Sequence, residues 1–433
     1  MENSRELSVA VIGLGFIGLP LALSYAMHGA NVVGIDVLPK LIEEINEGKS
    51  HHLEYYNGQS ISEIMKEQLD AGRFRATADY TEAAAMVDTY VITVGVPVHN
   101  GEANFNFLQS CCEQLATVLK TGDLVILRST VVPGTTEELV LPILESTGLK
   151  AGVDFYLAYS SERIAEGKAF EEFITMPLAV GGINVESAEK AQAVLSYVTQ
   201  AEILITDIKV VETAKVVENI QRDVNIAMVQ QFARFAEKMN IDTFELIKVA
   251  NSHKRVNLLI PGPGVGGYCV PNALYYLQPK ARELGVSIEL LETARQINDS
   301  VPQLLVDMLE RELLKKGKSL NGSKIALLGL AMKDFSDDDR ISPPHQIAQI
   351  LIQSGAIVQA YDPAVSNTYS YKVEFLGDAV NEADALVYLT VQEAFLELDW
   401  NSVVLSMVKD PVLLDIKNRI PKSIPTDATL IRI

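Results

Sequence analysis

Cys269 follows PGPGVGGY, with four glycines in the eight residues before it. Such a loop exposes backbone N–H groups and lets a ligand approach closely. A thiolate in that setting is a nucleophile. Cysteine is more often a small buried packing residue, and the residues alone leave both readings of Cys269 open. Cys111 and Cys112, inside a helical pattern, read as packing. In DIKVVETAKVVENIQRDVNIAMVQQFARFAEKM, residues 207–239, Lys215 and Asn219 stand at i and i+4 and share a helix face. A pair of that kind is usually no more than a solvated face.

A second chemical signal lies in LSVAVIGLGFIGLPLALSYAMHGANVVGID, residues 7–36. It reads as strand, turn, helix and strand. Gly13, Gly15 and Gly18 supply GxGxxG around Phe16 and Ile17: a tight turn, close approach to a pyrophosphate and tight helix packing. Asp36 closes the next strand, where a carboxylate accepts from an adenosine ribose and repels a 2′-phosphate, so NAD is expected over NADP. An NAD domain with a cysteine nucleophile points to oxidation at the aldehyde level. A thiohemiacetal gives up hydride and leaves a thioester for water to cleave.

These residues need a scaffold. Strands at TYVITVGVP, DLVILRST and FYLAYSSER alternate with helical segments, which implies a parallel sheet. Ligands bind at the carboxyl ends of such strands, where Val96, Pro97, Ser129, Thr130, Ser161 and Glu162 fall. Residues 207–239 contain no Gly or Pro, and Val210, Ala214, Val217, Val224, Met228 and Phe235 recur at steps of three, four and seven. One helix of about 50 Å is expected, spanning between domains or packing on its twin in a dimer. KIALLGLAMK and QIAQILIQSGAIVQAYDP echo the N-terminal unit, but with Gly329 alone in the turn. The expected fold is α/β: two Rossmann-like doubly wound domains joined by a helical segment with one long central helix. The boundaries are 1–206, a helical domain 207–300, a linker 301–320, and a C-terminal domain 321–433.

The 433 residues carry a net charge of −20, which excludes binding nucleic acid through a broad basic face. Three cysteines give neither a disulfide framework nor a CxxC metal spacing, and no metal site is expected. His51 and His52 are adjacent, cannot share a helix face as ligands, and read as surface residues. No export pattern precedes the first strand, and no apolar run reaches the roughly 20 residues of a membrane span. A soluble cytoplasmic protein is expected.

GLGFIGLP, VGVP, STVVPGT, SERIAEG, ETAKVVEN, RVNLLIPGPGVGGYCVP, GLAMKDFSDDDRISP and YDP occur in that order. Across essentially its whole length the chain resembles the UDP-glucose/GDP-mannose dehydrogenase family. The resemblance implies oxidation of a sugar C6 alcohol to a carboxylate with two NAD⁺, in a homodimer or larger homo-oligomer. It implies Cys269 as nucleophile, Lys215 on the C6 oxygen, Asn219 at the oxyanion, Thr130 holding water and Glu162 activating it. Cofactor contacts are implied for Gly13, Gly15, Phe16, Ile17, Gly18, Asp36, Val96, Pro97, Thr130, Glu166 and Arg340. Substrate contacts are implied for Glu162, Arg163, Lys215, Asn219, Asn257, Gly264, Gly266, Gly267 and Lys333, and for Arg255 reaching the neighbouring subunit. For Lys215 and Asn219 this displaces the solvated-face reading.

Two positions depart from the family pattern: Ser161 stands where Pro is usual, and Ala273 where an Asp is usual. ENIQRDVNIA and RVNLLIPGPGVGG look like the UDP-N-acetylhexosamine branch, and KSHHLEYYNGQSISEIMKEQ replaces the usual PGL-type segment. The expected role is supply of a uronic acid for envelope or capsule polysaccharide. The alternatives are a UDP-glucose 6-dehydrogenase, an enzyme that stops at the aldehyde or only binds nucleotide sugar because of Ala273, and a β-hydroxyacid dehydrogenase.

Overall fold

Short Val, Ile, Leu and Ala runs with few polar interruptions are the mark of parallel strands covered on both faces, and they build the two large sheets here. The computed structural model describes residues 6–50, 52, 54–165, 167–424 and 427–433. Glu166 and His51 lie outside the described residues. By contact density the chain divides into two compact units, Met1–Glu218 with Tyr275–Val286, and Asn219–Leu274 with Ser287–Ile433.

The first unit holds an eight-stranded sheet of β1 (Ser8–Ile12), β2 (Asn31–Ile35), β3 (Phe74–Thr77), β4 (Thr89–Ile92), β5 (Leu124–Leu127), β6 (Tyr156–Tyr159), β7 (Leu178–Gly182) and β8 (Ile203–Thr206). Its order is β8-β7-β6-β5-β4-β1-β2-β3. All pairs are parallel except β6 with β7. The run from β3 to β6 has the 3-2-1-4-5-6 order of dinucleotide-binding folds. Helix α1 (Gly18–Met27) is buried from Gly18 to Ala26, and Leu19, Leu23 and Tyr25 pack in the core with Val9, Val91 and Ile126.

The second unit holds β9 (Lys324–Leu328), β10 (Ile357–Tyr361), β11 (Ala385–Tyr388), β12 (Val412–Asp415) and β13 (Thr429–Arg432), all parallel, in the order β10-β9-β11-β12-β13. This 2-1-3-4-5 order belongs to the other common doubly wound fold. The long helix α2 runs Ile208–Met239, 32 residues, as the periodicity predicts. It is followed by α3 (Cys269–Glu283), α4 (Glu289–Lys315) and α5 (Pro343–Gln353). Residues 301–315 of the expected linker are the C-terminal half of α4, and Leu305, Leu309 and Leu313 pack in one core with Ile325, Leu327 and Leu351.

His52 corrects the sequence expectation. It is 6% exposed, its ring 4.5 Å from that of Phe16 in the glycine turn. Adjacent histidines in a polar stretch look solvated, and only the folded loop brings an aromatic partner. No helix among the described residues is long and apolar enough to cross a membrane.

A buried ion pair ties α2 to α4. Arg295 Nη1 donates to Asp223 Oδ1 at 2.7 Å, and Asn298 Nδ2 donates to the same oxygen at 2.8 Å. Burial pushes the Asp223 carboxyl above the usual carboxylate range, against the pull of Arg295. Removing one partner of such a pair strands a buried charge. Arg295→Met is expected to cost about 3–5 kcal/mol, read as a lower urea midpoint. An unchanged midpoint would show that the pair does not hold these helices.

Candidate active site

At the first glycine turn each missing side chain has a reason. A Cβ on Gly18 would lie 1.7 Å from the Gly13 carbonyl oxygen, and one on Gly13 would crowd the Thr93 and Val94 backbone at 3.2–3.3 Å. A Cβ on Gly15 would meet nothing within 4 Å, so its absence keeps a surface open. Thr93 Oγ1 donates to the Gly13 carbonyl at 2.8 Å. Leu14 N and Leu38 N donate to the two Asp36 oxygens at 2.8 and 3.0 Å.

A groove runs along this turn, lined by Gly13, Gly15, Asp36, Tyr80, Phe107 and Cys111 among others. Open space beyond Gly15 and a half-exposed Asp36 at the strand end fit a dinucleotide. Phe16 is exposed beside the turn, and Ile17 caps α1. Val96 is buried, and its carbonyl accepts from Tyr276 Oη at 2.5 Å; the Pro97 carbonyl accepts from Asn104 N at 2.7 Å. Tyr80, Phe107 and Cys111 escaped the sequence analysis, since long-range folding alone brings them beside the glycines.

Around the carboxyl ends of β5 and β6, Thr130 is half-buried. Glu162 is 8% exposed. Its Oε1 accepts from Arg163 N and Ile164 N at 2.7 and 3.0 Å, and Oε2 accepts from Arg128 Nη2. The Arg163 guanidinium pairs with Glu218 at 2.5 Å and donates to the Pro177 carbonyl at 3.0 Å. One helical turn before Lys215, the buried Glu212 accepts from Gly134 N at 2.5 Å, Thr136 N at 2.9 Å and Thr136 Oγ1 at 2.6 Å. This ties the STVVPGT segment to α2. Burial raises the Glu212 carboxyl above its usual range. Its place in ETAKVVEN, three residues before Lys215, was the available sequence signal. Lys215 itself is half-buried and has no hydrogen-bond or ion-pair partner among the described residues.

In the second unit Asn219 is 6% exposed. Cys269 is exposed, whereas Cys111 and Cys112 are buried. It opens α3, where backbone N–H groups lack intrahelical partners and favour negative charge. The glycine loop before it differs from the roomy cradle expected. A Cβ on Gly264 would stand 3.0 Å from Pro343, one on Gly266 2.7 Å from Pro343 and 2.9 Å from Met332, and one on Gly267 2.5 Å from Met332. These glycines let the Cys269 loop lie flat against residues 332–343. That segment carries Lys333, exposed, and Arg340, whose Nε and Nη2 grip Asp338 at 2.9 and 2.7 Å. Arg255 and Asn257 are exposed, and Ala273 is buried.

The second Rossmann-like turn is filled. A Cβ on Gly329 would sit 2.1 Å from Thr390 Oγ1. Asp362, the counterpart of Asp36, is 1% exposed and accepts from Leu330 N, Ala331 N and Gln392 Nε2. No ribose can claim that carboxylate.

Three family models cover most of the chain: the NAD binding domain of the UDP-glucose/GDP-mannose dehydrogenase family over residues 7–199, its central domain over 209–300 and its UDP binding domain over 326–422. The chain belongs to this family. As a family member it is an NAD-dependent nucleotide-sugar dehydrogenase, with a UDP-sugar as substrate. The UDP-N-acetyl-D-mannosamine dehydrogenase of Pyrococcus horikoshii is 35% identical over 95% of both chains. Its solved structure superposes with a TM-score of 0.91 over 99% of each. The enzyme of the same name from Campylobacter jejuni is 32% identical over 92% of this chain and 98% of its own. The structure of the Staphylococcus aureus UDP-N-acetyl-mannosamine dehydrogenase matches at 30% identity, TM-score 0.85, over 98% of each chain.

The glycine geometry separates two variants. Gly15→Ala is expected to keep the wild-type melting temperature and to weaken NAD⁺ at least about tenfold, ~1.4 kcal/mol. Gly18→Ala is expected to lower both. Titration of NADH fluorescence beside thermal melts decides; equal behaviour of the two would contradict the geometry.

Proposed function

We propose that this dehydrogenase carries out the four-electron oxidation of the C6 hydroxymethyl of a UDP-N-acetylhexosamine, UDP-N-acetylmannosamine foremost, to the uronic acid. The observation that carries the chemistry is the exposed Cys269 at the head of α3. The names of the Pyrococcus, Campylobacter and Staphylococcus relatives support the sugar. The turn at Gly13, Gly15, Phe16, Ile17 and Gly18, with Asp36, Val96, Pro97, Thr130, Glu166 and Arg340, is the cofactor-holding set. When bound, NAD⁺ supplies the hydride acceptor.

Lys215 stabilises charge on the C6 oxygen as the alcohol loses its proton, and Asn219 donates to the same oxygen. Both require donors not already spent, and neither side chain has a recorded partner among the described residues. Cys269 Sγ adds to the aldehyde carbon, which keeps a reactive intermediate from escaping, and the second oxidation leaves a thioester. Thr130 and Glu162 position the water that cleaves it. Arg163, Arg255, Asn257, Gly264, Gly266, Gly267 and Lys333 hold the nucleotide sugar. The product feeds envelope or capsule polysaccharide in the cytoplasm. The division into an NAD domain over 1–206, a helical domain over 207–300 and a UDP-sugar domain over 321–433 belongs to the same proposal.

The protein acts as a homodimer through α2. Met228, Phe232, Phe235 and Met239 recur at steps of four, three and four and are 39–62% exposed, a stripe suited to a partner helix. Phe235→Asp is expected to convert the dimer to monomer in sedimentation; an unchanged mass would remove α2 as the interface.

Counting NADH per sugar at limiting UDP-N-acetylmannosamine tests the chemistry. Two NADH with a carboxylate product are expected, and Cys269→Ser should abolish the carboxylate. One NADH with an aldehyde would mean that the enzyme stops before the second oxidation, the alternative that Ala273 raises. None from UDP-N-acetylmannosamine, UDP-N-acetylglucosamine or UDP-glucose would refute the proposal.

A further inference from the structure

Strands β5 and β6 are parallel neighbours, so the residues that follow them leave the sheet side by side. Arg128 comes directly after β5, and Glu162 three residues after β6. Arg128 is 3% and Glu162 8% exposed. The Arg128 Nη2 donates to Glu162 Oε2, and Arg163 N and Ile164 N occupy Oε1. A carboxylate has about four lone-pair sites; three are taken, and the fourth, on Oε2, adjoins the guanidinium.

Two buried tyrosines interact electrostatically with the pair. Tyr25 on α1 is pushed up to about 12 by burial, with Arg128 lowering it and Glu162 raising it. Tyr159 on β6 is raised by burial, with Glu212 and Glu218 of α2 adding to the shift and Arg128 opposing it. The Arg163 guanidinium is held by Glu218. Arg128 Nε, Ser160 Oγ and Ser161 Oγ are buried with no partner among the described residues.

We propose that Arg128 is a positioning residue for the hydrolytic half of the reaction. It fixes Glu162 so that the one remaining lone pair, on Oε2, orients the attacking water. This rests on the proposed function, in which Glu162 serves the Cys269 thioester. The water oxygen bonds to the acyl carbon, and the C–S bond breaks with its electron pair going to sulfur. One water proton ends on sulfur, and the other is lost to solvent as the new carboxylic acid ionises.

The test uses single turnovers of the full-length enzyme with UDP-N-acetylmannosamine and NAD⁺, quenched for intact mass. If the unmodified enzyme makes no NADH, the proposed function fails, whatever Arg128 does. Arg128→Gln removes the guanidinium that fixes Glu162. It is expected to form the first NADH at the wild-type rate with unchanged KM, and to slow hydrolysis by about a hundredfold. The acyl adduct should accumulate on Cys269. Arg128→Lys, which keeps a donor and the charge, should slow hydrolysis less. Wild-type partitioning in Arg128→Gln, or equal loss of both half-reactions, overturns the proposal. If Arg128→Gln fails to fold by circular dichroism, Arg128→Lys decides: wild-type partitioning there, or equal loss of both half-reactions, overturns the proposal.

Discussion

Loops at the carboxyl ends of parallel strands carry backbone N–H groups that no ladder can satisfy, and buried donors must find partners. Here acidic side chains supply them. Asp36 takes Leu14 and Leu38; Glu54 takes Gly167 and Ala169; Glu162 takes Arg163 and Ile164; Glu212 takes Gly134 and Thr136; Asp362 takes Leu330 and Ala331; Asp415 takes Lys417, Arg419 and Ile420. Ionised acceptors make the stronger bonds of this kind. Several of the chain's acids are therefore structural, and the net charge of −20 overstates how repellent an anionic ligand would find these loops.

The same device separates the two Rossmann-like turns. In the first, Asp36 is half-exposed, Gly15 faces open space, and a groove follows. In the second, Thr390 abuts Gly329 and Gln392 joins two backbone donors on Asp362. One architecture yields a dinucleotide cradle in one case and a packed turn in the other, because the second carboxylate is already consumed.

Glycine plays opposite parts within the chain. At Gly15 the missing side chain keeps space open, while at Gly264, Gly266 and Gly267 it lets Met332 and Pro343 come close. The loop before Cys269 thus lies close against the segment bearing Lys333 and Arg340, most tightly at Gly266, where a Cβ would stand 2.7 Å from Pro343 and 2.9 Å from the Ile341 carbonyl.

The sequence by itself determined what depends on near neighbours. The strand and helix runs, the GxGxxG turn with its acid, the 32-residue helix and the family motifs are all local patterns of hydrophobicity and backbone freedom, and the structure and the family models agree with them. Tertiary structure decided what depends on distant pairings. His52 became buried against Phe16 instead of solvated, and the glycines before Cys269 proved to be contact points instead of open cradle. Arg128 meets Glu162 across 34 residues and Glu212 meets Gly134 across 78. Those pairings arise where parallel strands leave a sheet side by side or a helix crosses a loop. A local pattern cannot register them, because the energy that fixes them comes from burial and hydrogen bonding between segments that are far apart in the chain.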